Sequence, residues 1–155
     1  MTPAINQAQK AKIVYSIHEY THSPSCSNSY GLEAAEKLGI APERVFKTLV
    51  VRLDDGRLVV GIIPVTSKLN MKNIAKGARA KKAAMADKAL VIKTTGYVLG
   101  GVSPLGQKKK LPTFIDSSAA GFPTIYVSAG RRGLEIELRS EDLVKLTHGK
   151  VVTLT

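Results

Sequence analysis

The chain of 155 residues is long enough to bury a hydrophobic core without a metal or disulfides, and its length fits one domain. Its single cysteine, Cys26, excludes an internal disulfide and a zinc site built from cysteines. No apolar run reaches the length of a membrane span and the start of the chain lacks a signal-peptide pattern, so we expect a soluble, cytoplasmic protein without a membrane partner. The net charge of +11, from 23 lysines and arginines against 12 acids, indicates a polyanionic partner such as RNA or DNA; a merely solvated basic face is the alternative.

The first elements follow from capping residues and from the spacing of apolar residues. Thr2 and Pro3 are typical of a helix start and predict a helix over 3–11, and alternating apolar residues predict a strand that runs from 13 to 20. Turn residues over 22–29 predict a loop. The segment 31–38 is predicted to be helical, with Gly39 as its stop.

The middle of the chain predicts a hairpin followed by two helices. Two β-rich segments, 45–53 and 57–65, flank Asp54-Asp55-Gly56, which is a strong hairpin signal. The second segment is apolar almost throughout, so we expect it to lie in the centre of a sheet, with Pro64 at its end. A basic helix is predicted over 68–79, and a further helix over 83–93, with Asp87 as the N-cap of 88–92.

The last third of the chain predicts strands over 113–115, 124–127 and 134–138, a helix that begins at Ser140, and an edge strand over 151–154. Helices and strands are interspersed, but hairpins interrupt the pattern that a fully parallel sheet needs. We therefore predict an α+β fold. It comprises a single domain over 1–155 with a curled, mixed, largely antiparallel β-sheet flanked by helices.

The segment 95–110 is the most distinctive part of the sequence. It reads Thr95-Gly96-Tyr97-Val98-Leu99-Gly100-Gly101-Val102-Ser103-Pro104-Leu105-Gly106-Gln107-Lys108-Lys109-Lys110. Paired glycines allow positive φ and the close approach of a ligand or another backbone, and proline stiffens the loop. Exposed N–H groups followed by three lysines suit a ligand rich in phosphate and carbonyl oxygens, whereas the alternative is a purely structural turn. The spacing matches neither a Walker loop nor a dinucleotide fingerprint, which argues against nucleotide hydrolysis and hydride transfer.

Lys47 lies in the strand predicted over 45–53, where alternation puts Phe46 on one face and Lys47 on the other. The neighbouring strand is apolar on both sides, so the face that bears Lys47 is expected to be partly covered. A lysine in that place must reach an anion, because burying an unpaired charge is costly. The alternative is an outward lysine on a solvated edge.

The histidines do not form a catalytic set. His18 and His22 bracket Tyr20, and His148 falls in the last turn of the last predicted helix, where it favours the helix dipole. The spacing offers no third ligand for a metal, and no positioned base is evident for Cys26. We therefore predict no metal site and no cofactor.

A second glycine loop follows the strand predicted over 124–127. Its sequence, Ser128-Ala129-Gly130-Arg131-Arg132-Gly133, could hold a phosphate through the arginines or could be a hairpin with solvated arginines. Basic residues here and in the segments 68–82 and 108–110 are predicted to contact an RNA backbone. They are Lys68, Lys72, Lys76, Lys81, Lys82, Lys108, Lys109, Lys110 and Arg131.

Three motifs in this order resemble the YbaK-type Cys-tRNA(Pro) deacylases, which belong with the editing domain of bacterial prolyl-tRNA synthetases. The motifs are Phe46-Lys47-Thr48-Leu49, the glycine loop within 95–109, and the segment 126–138. The resemblance implies an α+β fold of that type and the trans-editing hydrolysis of cysteine mischarged on proline tRNA. It also implies prolyl-tRNA synthetase as a partner, in a ternary complex with the tRNA. Separate editing is needed because an apolar pocket distinguishes a methylene by only about 1–3 kcal/mol.

The resemblance further implies that the thiol of the bound cysteine attacks its own ester carbonyl, while the protein supplies orientation and charge stabilisation. Lys47 would bind the terminal adenosine phosphate or the carbonyl region, and Gly100 and Gly101 would offer backbone N–H groups to the ester. The substrate-binding residues that it implies are Tyr20, Tyr30, Ser128, Gly130 and Glu135. Glu135 stands where Asp is common in the family.

Two other functions stay open. A deacylase for Ala-tRNA(Pro) would need an activated water, because alanine has no thiol. A non-catalytic module that recruits tRNA to a synthetase would bind without turnover and with a steep salt dependence.

Overall fold

The computed structural model describes residues 1–23 and 30–155. The helices in these ranges are α1 (Pro3–Ala11), α2 (Tyr30–Leu38), α3 (Met71–Gly77), α4 (Lys88–Thr95) and α5 (Ser140–Thr147). The strands are β1 (Tyr15–Glu19), β2 (Phe46–Leu53), β3 (Leu58–Pro64), β4 (Ala83–Met85), β5 (Thr113–Asp116), β6 (Ile125–Arg131), β7 (Leu134–Leu138) and β8 (Lys150–Val152). Short 3-10 helices span Pro42–Arg44 and Ser117–Gly121. The loop predicted over 22–29 and Cys26 fall largely outside the described residues.

The strands form two sheets. One is antiparallel with the order β1-β7-β6, and the other is mixed with the order β4-β2-β3-β5-β8. The predicted α+β fold with a mixed, largely antiparallel sheet is confirmed, but the single curled sheet is divided at Val45. This residue forms a parallel bridge with Tyr126 of β6, and its carbonyl accepts a hydrogen bond from the N–H of Val65 at 2.8 Å. Val45, just before the start of β2, therefore links the five-stranded sheet to β6 of the three-stranded sheet.

The hairpin between β2 and β3 forms as predicted. Gly56 has φ +90°, and the N–H of Leu53 donates to the carbonyl of Arg57 at 2.8 Å. β3 lies between β2 and β5, and six of its seven residues are buried because both faces of the sheet are covered. This explains its almost continuous apolar sequence and confirms its central place.

The helix predicted over 83–93 is wrong in its first part. Residues 83–85 form β4, an edge strand that pairs with β2, and the helix begins only at Lys88. The Asp54 carboxylate accepts hydrogen bonds from the N–H groups of Lys81 and Lys82, which holds the chain along the edge of β2. These contacts override the helix propensity of alanine. Asp87 occupies the N-cap position, but its side chain makes no capping hydrogen bond.

The remaining boundaries differ from the predicted ones by a few residues. α3 begins after Asn70, whose side chain accepts from the N–H of Asn73, and Thr2 caps α1 by accepting from the N–H of Ile5. β8 ends at Val152 and takes the predicted edge position. None of the helices in the described ranges combines the length and the apolar character that crossing a bilayer requires.

Besides a small cluster of Ala35, Val45 and Tyr126, two larger cores hold these layers together in the described part of the chain. The larger one packs residues of both sheets with α1 and α5, for example Phe46, Ile62, Ile136 and Leu143. The smaller one lies on the other face of the five-stranded sheet, under α3. The two sheets are thus fixed relative to each other where β2 passes β6, and a cavity opens beside that junction.

Candidate active site

A cavity of about 250 Å³ lies where β2 meets the start of α2, the loop after α4 and the β6–β7 pair. Residues far apart in the sequence converge on it. They are Tyr20, Tyr30, Gly31, Phe46, Lys47, Thr48, Leu49, Leu99, Gly100, Val102, Ser128 and Glu135. Six of the eight residues predicted for catalysis or substrate binding line this cavity, and Gly101 and Gly130 do not.

Lys47 is half-buried on β2, opposite Ile63 of β3. Burial lowers the pKa of its ammonium group, and the positive charge of Lys68 lowers it further. No acid among the described residues forms an ion pair with Lys47. Its charge is therefore available to a ligand. The prediction that this position on the sheet is partly covered is confirmed.

Gly100 occupies a position that only glycine fits. It has φ +85°, and a Cβ added there would lie 2.8 Å from Nε of Arg132 and 3.0 Å from Cδ2 of Tyr30. The N–H of Gly100 has no hydrogen-bond partner within the described part of the chain. This backbone group can donate to a ligand in the cavity.

Gly101 does not offer the second N–H that was predicted. Its N–H donates to the carbonyl of Val98 at 2.9 Å and closes the turn that shapes the loop. A Cβ on Gly101 would lie 2.8 Å from Cα of Arg131. The second glycine thus allows the loop to pack against the β6–β7 turn, and Gly100 remains as the donor.

Gly130 is also a packing residue. It has φ +112°, and a Cβ there would lie 2.9 Å from the ring of Tyr97 and 3.1 Å from Thr2. Thr2 in turn donates to the carbonyl of Ala129. The predicted substrate contact of Gly130 is not supported, because the glycine faces the amino-terminal segment instead of the cavity.

Arg132 forms part of the rim, although it was not among the predicted site residues. Its guanidinium lies 4.9 Å from the centre of the Tyr30 ring, and its Nε donates to the carbonyl of Leu99 at 2.9 Å. The two contacts join the start of α2 to the glycine loop. The pair Arg131-Arg132 was visible in the sequence, but which arginine faces the site depends on the turn between β6 and β7.

Thr48 is a second residue that the sequence did not single out. Its Oγ1 is buried and lacks a hydrogen-bond partner among the described residues, although the residue lines the cavity. Unpaired buried hydroxyls are uncommon because they lose their hydration without compensation. Strict strand alternation places Thr48 on the face opposite Lys47, so the pattern of residues offered no reason to combine them.

Glu135, on β7, lines the cavity and is buried, with 6% of its surface exposed. Its neighbours across the sheet are Ser128 on β6 and His18 on β1. No hydrogen bond or ion pair joins its carboxyl group to another described residue. Burial raises the pKa of Glu135 to about 8.

A network around Glu33 holds the edge of the site. Glu33 on α2 accepts from the N–H of Ser23 at 2.7 Å, lies 2.7 Å from Nδ1 of His22, and pairs with Lys37 at 3.1 Å. Burial alone would raise the pKa of Glu33, but these hydrogen bonds outweigh it and hold the pKa at about 2. The network ties the segment after β1, which carries Tyr20, to the helix that carries Tyr30.

The lysines predicted to contact RNA are all exposed and form no ion pairs with other described residues. Lys72 and Lys76 lie on α3, and Lys68 lies close enough to Lys47 to affect its pKa. Arg131 is exposed as well, and its Nη2 lies 3.9 Å from Oε2 of Glu19. Contact of these residues with RNA remains a prediction.

A larger cleft of about 430 Å³ lies between α1, the segment 104–111 and the end of α5. Of the predicted site residues it contains only Lys110. Among the described residues, no group of three or more His, Cys, Asp or Glu side chains could hold a metal ion. The smaller cavity is therefore the one where the chemically distinctive residues meet.

Residues 28–146, which include most of the cavity lining, match the family model of the aminoacyl-tRNA editing domain. The chain belongs to this family. All the residues that line the cavity, except Tyr20, fall within the matched range. The editing-domain match thus covers the candidate site except Tyr20, together with strands β2 to β7.

Relatives of this editing-domain protein agree with the assignment. It is 37% identical to a protein of Enterococcus faecalis named "Putative Cys-tRNA(Pro)/Cys-tRNA(Cys) deacylase EbsC", over 99% of this chain and 93% of that protein. A crystal structure described as "a putative trans-editing enzyme for prolyl tRNA synthetase" has a TM-score of 0.83 at 21% identity and covers 100% of this chain and 98% of that one. The crystal structure of hypothetical protein APE2540 has a TM-score of 0.86 at 22% identity, covering 99% of both chains. The two structures support the fold of the editing domain.

Proposed function

We propose that this protein is a free-standing deacylase that removes cysteine from mischarged Cys-tRNA(Pro), with residues 1–155 acting as one editing domain. The observation that carries the proposal is the convergence on one cavity of Lys47 and the backbone N–H of Gly100, neither of which has a partner among the described residues. Both groups suit the oxygen-rich end of an aminoacyl-tRNA, which presents a phosphate and an ester carbonyl. The name of the Enterococcus faecalis relative supports the same substrate.

The reaction that these groups suit uses the substrate's own nucleophile. The described residues that line the cavity include no histidine or cysteine, and the hydroxyl of Ser128 accepts a hydrogen bond from the N–H of Gly130 at 3.2 Å. In the proposed step the sulfur of the bound cysteine forms a bond to its ester carbonyl carbon, and the bond from that carbon to the ribose oxygen breaks. The thiol proton is lost and the ribose oxygen gains a proton. Water then opens the resulting thiolactone.

The protein's contribution is charge stabilisation and orientation. As the sulfur attacks, negative charge builds up on the carbonyl oxygen, and a preorganised N–H or ammonium stabilises that charge more than the ground state. Gly100 supplies the N–H, and Lys47 supplies a positive charge either at this oxygen or at the terminal phosphate. Holding the thiol against the carbonyl accelerates the intramolecular step, because little freedom remains to be lost.

Recognition of the tRNA is proposed to come from the exposed lysines and from prolyl-tRNA synthetase, which would bring the tRNA in a ternary complex. Backbone contacts by lysines carry no sequence information by themselves. A deacylase for Ala-tRNA(Pro) is the second candidate; it needs a base for its water, and Glu135 is a carboxyl group in the cavity wall that could serve as that base. A tRNA-binding module without turnover is the third.

The test is deacylation of purified Cys-tRNA(Pro), Ala-tRNA(Pro) and Ser-tRNA(Pro), the last having a hydroxyl in place of the thiol. We expect rapid loss of cysteine alone, and a decrease of roughly 100-fold in Lys47→Ala, comparable with the loss of one oxyanion donor. Lys93→Ala, which removes an exposed lysine of α4, serves as the matched control and should leave the rate unchanged. Preferential loss of alanine would contradict the cysteine assignment, and binding without turnover of any substrate would support the tRNA-binding module.

A further inference from the structure

Glu135 differs from every other buried acid in the described part of the chain. The buried acids are Glu33, Asp116, Glu135 and Asp142. Glu33 has the three partners given above, Asp116 accepts from the N–H groups of Ser118 and Leu154, and Asp142 pairs with Arg139. Glu135 alone has no partner among the described residues.

An unpaired carboxyl group in a buried position is unfavourable, because burial removes its hydration and nothing replaces it. The group is not enclosed in the core, since it forms part of the cavity wall. A ligand in the cavity can therefore supply the missing partner. The partner must be a cation or a strong hydrogen-bond donor.

The charges around the cavity are separated in space. Lys47 and Arg132 bring positive charge to the side formed by β2, the glycine loop and Tyr30. The acid lies on β7, and no described cation lies within ion-pair distance of it. A matching ligand carries phosphate or carbonyl oxygens at one end and a cationic nitrogen at the other. The end of an aminoacyl-tRNA has this arrangement, since the α-ammonium group lies two bonds from the ester carbonyl.

We propose that Glu135 binds the α-ammonium group of the aminoacyl moiety and thereby turns the ester carbonyl toward Lys47 and the N–H of Gly100. This inference rests on the proposed deacylase function and gives it a specificity determinant. An acyl-tRNA without a free amino group, such as an N-acylated one, is discriminated against at this position. A site built to bind a polar group rejects an analogue that lacks it more strongly than an apolar pocket rejects an extra methylene.

The experiment compares two substrates that differ only in the amino group. Cys-tRNA(Pro) is tested beside 3-mercaptopropionyl-tRNA(Pro), which keeps the thiol and the ester, with the wild type and with Glu135→Gln. We expect the variant to lose roughly 10- to 100-fold in kcat/KM with Cys-tRNA(Pro), the range for a buried charge-assisted hydrogen bond. With 3-mercaptopropionyl-tRNA(Pro) the wild type is already slow, and the variant should be no slower. Glu135→Asp, which keeps the carboxylate, should recover part of the activity on Cys-tRNA(Pro) only.

The control is Glu137→Gln, a carboxylate two residues along the same strand that is already bonded to His18 and Thr124. It should not distinguish the two substrates. An equal loss by Glu135→Gln on both substrates would overturn the inference and would point to a role at the thiol, which both substrates share. If the wild type turns over neither substrate, the proposed function fails. In that case the binding of an amide-linked cysteinyl-adenosine and of its deamino analogue still tests the inference, and equal affinity for the two would contradict it.

Discussion

The guanidinium of Arg132 lies over the ring of Tyr30, 4.9 Å from its centre, and is fixed there by a hydrogen bond from Nε to the carbonyl of Leu99. The side chain thus connects α2, the glycine loop and the β6–β7 turn at the mouth of the cavity. A cation–π contact at an exposed position contributes about 0.5–1 kcal/mol. Arg132 thus holds a fixed positive charge at the rim, which suits a phosphate of the proposed substrate.

We expect Arg132→Ala to raise KM for Cys-tRNA(Pro) by roughly 5- to 20-fold, because the variant lacks both the stacking on Tyr30 and a charge-assisted hydrogen bond to the phosphate. The effect on kcat should be smaller, because the arginine lies at the rim. Steady-state kinetics measure both constants. Arg52→Ala is the matched control, since its side chain is exposed, forms no ion pair with a described residue and is not among the predicted RNA contacts. An equal rise in KM for the two variants would show that only the total charge matters.

Gly100→Ala should reduce kcat/KM by at least roughly 100-fold, comparable with losing an oxyanion donor. A methyl group at this position would lie 2.8 Å from Arg132 and 3.0 Å from Tyr30, and the residue has φ +85°. The donor N–H and the rim would therefore both be displaced. The measurement is deacylation kinetics together with thermal unfolding.

Gly56→Ala and Gly39→Ala control for the backbone strain of the Gly100 variant. Both glycines have positive φ, +90° and +67°, and an added Cβ at either would meet nothing within 4 Å. They should lose about 1 kcal/mol of stability while keeping full activity. If Gly100→Ala behaves like these controls, the close contacts at the rim do not affect catalysis.

The sequence predicted those parts of the fold that depend on local signals. The cap at Thr2 and the hairpin at Asp54-Asp55-Gly56 each act through neighbouring residues, and both form as predicted. β4 was missed because three residues rich in alanine favour a helix unless another strand pairs with them. That pairing depends on β2, which lies far away in the chain, and local propensity does not report it.

Only part of the candidate site could be predicted, because it too depends on contacts between distant segments. Motif resemblance brought Lys47, Gly100 and Glu135 together, and the structure places all three around one cavity. The resemblance could not distinguish a glycine that faces a ligand from one that accommodates packing, so Gly101 was assigned to catalysis with Gly100, and Gly130 was assigned to substrate binding. Acids that alternate with apolar residues along β7 are typical of a solvated strand face. The burial of Glu135 arises because distant elements cover that face.

Removing the Glu135 charge should stabilise the protein in alkaline solution. An acid whose pKa rises from 4.5 to about 8 on folding binds more protons in the folded state between these values, so stability falls as pH rises through that window. The total cost is at most about 5 kcal/mol, at about 1.4 kcal/mol per pH unit. Glu135→Gln should raise Tm at pH 8 and have little effect on Tm at pH 4. Thermal unfolding at both pH values measures this.

Glu33→Gln is the matched control, because folding lowers the pKa of Glu33 whereas it raises the pKa of Glu135. The pKa of Glu33 is held at about 2, so its contribution is present above pH 4.5 and is lost as pH falls toward 2. This variant should be destabilised at pH 7 by about 1–3 kcal/mol, the cost of leaving its buried partners unpaired. Equal slopes of stability against pH in the two variants would show that the surroundings of the two carboxyl groups do not differ as described.

Reversing the charge of two exposed lysines on α3 should weaken binding to every tRNA by a similar factor. Lys72 and Lys76 carry no ion pairs with described residues, and the helix that bears them packs beside β3 through Ile74. The double variant Lys72→Glu, Lys76→Glu should bind more weakly and should lower the slope of log K against log salt by roughly 0.9 for each phosphate that the protein no longer neutralises. Filter binding of charged tRNA(Pro) and of an unrelated tRNA from about 50 to about 200 mM salt measures both quantities.

The matched control for the α3 surface is the double variant Lys10→Glu, Lys12→Glu, on and just after α1, which makes the same change in net charge elsewhere. It should weaken tRNA binding less than the α3 variant does, because contacts to phosphates depend on the position of the charge and not on the RNA sequence. If the weakening is confined to one tRNA, or is the same in both double variants, α3 is not a surface that binds the RNA backbone.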